Sequence, residues 1–190
     1  SGDVPVAVLD ANVLYPAQLR DLLMRLAVGG LFRAHWSETI HEEWMRNLDH
    51  NRADLSREDL SRTRRLMDTA LPGACVEGHR THIPKLSLPD PGDRHVLAAA
   101  IEIEANHIVT RNLKDFPREP LGTYGITPCA PDPFIMMLYK RAREDVVRVV
   151  KQLRASLSNP PQTQQQLLDH FRKSGLTETA RTLDSHKSQI

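Results

Sequence analysis

The sequence predicts an α/β fold in which a central parallel sheet is covered by helices and followed by an all-α segment. Two observations carry this. Short apolar runs alternate with segments of helical spacing up to about residue 130, the pattern of a parallel sheet with helical crossovers. From Pro131 onward only helical patterns occur. Charge divides the chain at the same place: residues 1–130 hold 15 basic and 18 acidic side chains, residues 131–190 hold 10 and 6. At 190 residues the chain suffices for one domain, or one domain with a small appendage, and the expected boundaries are 1–130 and 131–190.

Each element has its own signal. Val6-Ala7-Val8-Leu9 is a buried strand that stops at Asp10. Pro16 suits the first turn of a helix, Leu19, Leu22, Leu23 and Leu26 keep helical spacing, and Gly29-Gly30 ends it. Leu31 to Trp36 forms a second strand. Ser37 and Thr39 both suit the N-cap of the next helix, and Glu42 stands three residues after Thr39, the spacing of a capping box. Ser56 opens a helix carrying Leu60, Met67 and Ala70, and Ala74-Cys75-Val76 is a weak strand. The turn-rich Leu88 to Asp93 feeds a helix from His95 to Ala105. His107 to Thr110 is a strand, Arg111 to Pro117 a polar loop, and Gly125-Ile126-Thr127 a last short strand. In the C-terminal segment a helix starts at Phe134, Val146, Val147, Val150 and Leu153 form a stripe, and Asn159-Pro160-Pro161 breaks it. A helix from Gln162 to Lys173 ends at Gly175, and Thr177 is placed to cap a last one.

Composition excludes several classes. Forty per cent hydrophobic residues rule out a disordered chain, and a net charge of +1 rules out a basic nucleic-acid coat. Cys75 and Cys129 cannot make a disulfide framework, which fits a reducing compartment. No run approaches eighteen apolar residues, and Ser1 to Pro5 lacks the signal-peptide pattern, with Ser1-Gly2 reading as a remnant of cloning. The expectation is a cytoplasmic protein that makes no use of a membrane.

Four acids stand out by position. Asp10 ends a buried strand, Glu43 sits among Ile40, Trp44 and Leu48, Asp93 precedes Val96 and Leu97 by three and four residues, and Asp115 follows a strand. Both Asp10 and Asn112 fall at the carboxyl edge of the sheet, where such folds bind ligands. Inward carboxylates repel one another and are costly to bury without a positive partner. A hard cation such as Mg²⁺ supplies it, and clustered carboxylates with metal suit in-line attack on a phosphodiester.

The spacing of these segments resembles the PIN-domain family of metal-dependent ribonucleases, which includes VapC-type toxins, over about residues 6–128. Val8 to Leu14 looks like the family's opening strand with its Asp and a polar residue two places on, here Asp10 and Asn12. Ser37 to Trp44 resembles the segment in which Ser precedes the catalytic Glu by six residues, which selects Glu43 over Glu42. Asp93 to Ala100 resembles the third acidic motif, and Ile108 to Phe116 the last, with Thr110, Asn112 and Asp115 at its polar positions. The resemblance implies a PIN-like three-layer sandwich and a Mg²⁺- or Mn²⁺-dependent endoribonuclease. Asp10, Glu43, Asp93 and Asp115 would be the metal ligands, and Asn12, Thr110 and Asn112 the orienting groups. It also implies an RNA substrate, a cognate antitoxin and a homodimer. Asp90 is an additional acid near the third motif, and the helical C-terminal extension lies outside the common domain.

Rival readings are weaker. A haloacid-dehalogenase-type phosphatase also opens on a strand ending in Asp, but its general acid stands two residues on, where this chain has Asn12, and an amide cannot protonate a leaving group. A degenerate PIN fold kept as a binding module conflicts with the presence of all four acids. Cys75, His79 and His82 lack the fourth ligand and regular spacing of a zinc site. Arg111 and Lys114 are better candidates for RNA contact than Arg62, Arg64 and Arg65, which suit a solvated helix face. Trp44 reads as a packing residue, not a base-stacking one.

Overall fold

The structure, a computed structural model, describes residues 3–190; the reading of Ser1-Gly2 lies outside them. Five parallel strands run β1 (Val6–Leu9), β2 (Arg33–Ser37), β3 (Cys75–Val76), β4 (His107–Val109) and β5 (Thr127–Cys129), in the order β3-β2-β1-β4-β5. β1 is central, and its Ala7, Val8 and Leu9 are wholly buried, as a strand covered on both faces must be. Val8 pairs with Ile108 and Leu9 with Val109. The ladder runs one step further: the Asp10 N–H donates to the Val109 carbonyl at 3.0 Å, and the Thr110 N–H to the Cys129 carbonyl at 2.9 Å. Asp10 and Thr110 are therefore fixed side by side where β1 and β4 end.

In chain order the helices are α1 (Ala11–Leu14), α2 (Ala17–Val28), α3 (Glu38–Asn51), α4 (Arg57–Ala70), α5 (Arg94–Glu102), α6 (Arg118–Gly122), α7 (Pro131–Arg141), α8 (Arg143–Ser156), α9 (Gln164–Lys173) and α10 (Thr177–Asp184). The expected three-layer α/β architecture with C-terminal helices is present. One apolar core runs through the whole of it. Phe32 before β2 meets Phe134 of α7 edge to face at 5.0 Å between ring centroids, a favourable aromatic geometry. The buried Val146, Val149 and Val150 belong to α8, which packs on α2.

Several boundaries differ from the sequence reading, each for a physical reason. The α3 cap is Ser37, whose hydroxyl accepts from the Ile40 N–H at 3.2 Å. Thr39 lies inside the helix, so the Thr39–Glu42 capping box does not form. The box at α4 does form, between Ser56 and Asp59, but Ala70 is exposed. α5 stops at Glu102, short of Ala105, because Glu104 adopts a left-handed backbone with φ 53°. The Ala105 N–H then returns to the Ala100 carbonyl and that of Glu104 to Ile101, a Schellman closure made without glycine. The last strand begins at Thr127: Gly125, at φ 70°, turns the chain out of α6, and the Ile126 N–H is spent on the Leu121 carbonyl. α10 is not capped by Thr177, its first helical residue. Asp132 of α7 accepts instead from the Glu178 and Thr179 N–H groups, both at 2.9 Å.

α3 is locked from below. Asp68 of α4 accepts from Trp36 Nε1 at 2.7 Å and faces His41 Nε2 at 3.0 Å, while Trp44 Nε1 donates to His41 Nδ1 at 3.0 Å. Trp44 is fully buried, with the Arg20 guanidinium 5.2 Å from its ring, so it packs and cannot stack a base. Because Ser37 is buried and caps α3, Ser37→Ala should lower unfolding free energy by about 1–2 kcal/mol in urea denaturation, whereas Thr39→Ala should stay within about 0.5 kcal/mol of wild type. A larger loss for Thr39→Ala would place the cap wrongly.

Candidate functional site

Asp10 is 5% exposed and already heavily committed. Its Oδ1 accepts from the Ala11 N–H at 2.8 Å; its Oδ2 accepts from the Thr110 hydroxyl at 2.8 Å and from the Asn12 amide at 3.3 Å. A carboxylate offers about four acceptor positions, so roughly one is left for a ligand. Burial pushes the Asp10 carboxyl up; the Thr110 and Ala11 hydrogen bonds oppose this, the Glu43 charge adds to it, and His95 opposes it.

The other acids converge from separate elements. Asp93 begins α5, and an oxygen of each of Asp90, Asp93 and Asp115 lies within 4.8 Å of the others. The Asp93 carboxyl is pushed up to about 6, first by burial and then by the charges of Asp10, Asp90, Asp115 and Glu43. Asp93 thus feels the charge of the four other acids. Glu43 of α3 meets His95 Nε2 with its Oε1, yet this atom and Asp93 Oδ2 are buried without a well-directed hydrogen bond. Asp90, Asp93 and Asp115, with the Asp93 Oδ2 buried and lacking a donor, are a donor set for a hard divalent cation, and Asp10 and Glu43 flank that group without belonging to it. The chemistry of these residues therefore fits a hard divalent cation.

A cleft of about 380 Å³ opens over this edge, lined by Asp10, Asn12, Glu43, Asp93, Arg111 and Asn112 among others. Asn12 ties its floor together: its amide donates to Thr110 Oγ1 at 3.1 Å, and its Oδ1 accepts from the Arg111 N–H at 3.0 Å. Asn112 donates from its N–H to Thr110 Oγ1 at 3.0 Å and from its side-chain amide to Asp115. Lys114 is exposed and does not line the cleft. Arg62 and Arg65 are solvent-facing, and Arg64 sits between Glu38 and Asp68. Cys75, His79 and His82 form no ligand cluster: the one group of metal-competent side chains among the described residues is the acidic one.

Sequence reasoning missed two kinds of residue and left the role of a third, Asp90, open. Asn47 and Asn51 line the cleft four and eight residues after Glu43, a helical spacing visible in the sequence. Asp90 was visible as an additional acid; its Oδ1 accepts from the Gly92 N–H at 2.8 Å, and that turn brings it beside Asp93. The His95 contact had no signal, because it depends on how α5 faces α3.

Comparison with known proteins agrees with this geometry. The profile described as PIN domain matches residues 6–114. The chain belongs to the PIN-domain family. The family's α/β fold accounts for the parallel sheet and its flanking helices. A second profile, the VapC50 C-terminal domain, matches residues 131–185, which places α7 to α10 with a known extension of PIN proteins of the VapC type. A protein of Mycobacterium tuberculosis named "Putative ribonuclease VapC50" is 40% identical over 77 residues, covering 40% of this chain and 46% of the relative. The chain thus matches about half the length of that curated relative. No solved structure matches it.

The Asp93 environment yields a pH prediction. Its carboxyl titrates near 6 in the folded PIN domain against 3.8 ordinarily, so the folded state holds the proton more tightly. Asp93 therefore contributes stability below about pH 4 that is lost as pH rises through about 6. Asp93→Asn should melt at a higher temperature than wild type at pH 7 in a chelator, and the gap should close at pH 4. Mn²⁺ should raise the wild-type melting temperature and leave that of the variant nearly unchanged. An unchanged gap between pH 4 and pH 7 would remove Asp93 from the charged cluster.

Proposed function

We propose that this PIN domain is a divalent-metal-dependent endoribonuclease and the toxin of a toxin–antitoxin pair. The observation that carries the reading is the acidic edge: oxygens of Asp90, Asp93 and Asp115 lie within 4.8 Å of one another, the charges of Asp10 and Glu43 also act on Asp93, and Asp93 Oδ2 is buried without a donor. The relative's printed name, with its ribonuclease and VapC terms, supports the same reading. The proposed partners are RNA, a cognate antitoxin and a second copy of the chain, in the cytoplasm. No helix among the described residues is long and apolar enough to cross a membrane.

Asp10, Glu43, Asp93 and Asp115 would hold the metal, with Asp90 beside them. A bound divalent cation supplies Lewis acidity that favours ionised water and offsets charge developing on phosphorus. The chain's own residues prepare the site for it. Thr110, Asn12 and the Ala11 N–H fix both oxygens of Asp10, so little reorganisation is needed when the ion arrives. Asn112 holds Asp115 in the same way. Arg111, the cation lining the cleft, is placed to orient a phosphate over the acids.

The assay is cleavage of total bacterial RNA with Mn²⁺, with and without chelator. Asp10→Asn and Glu43→Gln should each lose more than about a hundredfold in rate, since these residues would ligate the metal itself. Glu42→Gln should keep nearly full activity, because Glu42 is exposed and outside the cleft. Cleavage that persists in chelator, or the opposite order for Glu42 and Glu43, would overturn the assignment. Growth arrest on induction, relieved by co-expressing a small gene found directly beside this one, tests the toxin role.

A further inference from the structure

The acid-lined cleft has one cation among its described lining residues, Arg111. A polyanionic strand laid over clustered carboxylates needs more positive charge than one guanidinium, and the adjoining surface must supply it. Arg111 also lines a second cavity, of about 420 Å³, whose other wall belongs to the C-terminal helices: Lys173, Ser174 and Gly175 at the turn between α9 and α10. The residue bridges the two spaces. Its backbone N–H is held by Asn12 Oδ1 on the cleft floor, and its Nη2 donates to the Ser174 carbonyl at 2.7 Å. A guanidinium has five donors, so this anchoring bond positions the group and leaves others for a ligand. Lys173, exposed at the end of α9, stands on the far side. The acid in this cavity, Asp132, is occupied: it accepts from the Glu178 and Thr179 N–H groups and from the Thr179 hydroxyl. The segment from 131 onward also carries the chain's excess of basic residues.

We propose that the C-terminal helical segment completes the substrate track, with a backbone phosphate neighbouring the scissile one bound between Arg111 and Lys173. The extension then contributes to RNA binding and is not only a support for the fold. This rests on the ribonuclease reading above.

The test uses the full chain and two RNAs: the shortest fragment that wild type cleaves with Mn²⁺, and the same fragment lengthened by six nucleotides at each end. Lys173→Glu is compared with Lys151→Glu, an equal charge change at an exposed position on α8 outside both cavities. Lys173→Glu should raise KM for the long RNA about fivefold with kcat unchanged, and should flatten the slope of log(kcat/KM) against log salt by about 0.7, the value of one single-strand phosphate contact. Lys151→Glu should do neither, and on the short RNA the two variants should agree. Matching behaviour of both variants on the long RNA would overturn this inference and leave the ribonuclease reading standing. A wild type that cleaves no RNA would overturn that reading, and the inference with it.

Discussion

Mutual repulsion of carboxylates is the constraint around which this molecule is built. Five acids from four separate stretches of chain are brought close enough that the charges of the other four act on Asp93. Like charges in a partly dry environment disfavour the folded state, so the frame that holds them must be rigid and well packed. The central β1, buried from Ala7 to Leu9, supplies that frame, and the hydrogen bond from the Asp10 N–H to the Val109 carbonyl carries its ladder to Asp10. Thr110 then stands beside Asp10 by strand register alone, and its hydroxyl partly compensates the burial of that carboxylate.

The surrounding polar network follows from the same requirement. Asn12 and Asn112 carry no charge, so they can enter an anionic site without adding to the repulsion. Each donates from its amide to a carboxylate. On the opposite wall, α3 must present Glu43 at a fixed height, and the chain of Trp36, Asp68, His41 and Trp44 pins that helix to β2 and α4. A buried polar chain of this kind specifies one helix rotation more sharply than apolar contacts would.

The C-terminal helices share this economy of contacts. They do not sit apart from the sheet: Phe134 meets Phe32, and α8 covers α2. Asp132 of α7 caps α10, and Ser174 reaches Arg111 at the rim of the cleft. Arg111, which lines the acidic cleft, thus also contacts the extension directly.

The sequence by itself determined the alternation of strands and helices and the acids at strand and helix ends, because hydrophobic period and residue spacing are local properties. It was less informative where a partner is distant along the chain. Ser37 and Thr39 were equally plausible caps until β2 fixed where the chain enters α3. Glu104 ends α5 in a conformation that glycine usually signals. Asp132 caps a helix more than forty residues away. The packing of α5 against α3 likewise sets His95 on Glu43 and gathers Asp90 with Asp93 and Asp115. Only the tertiary structure decided these, since through-space electrostatics and long-range hydrogen bonds depend on distances that sequence separation does not encode.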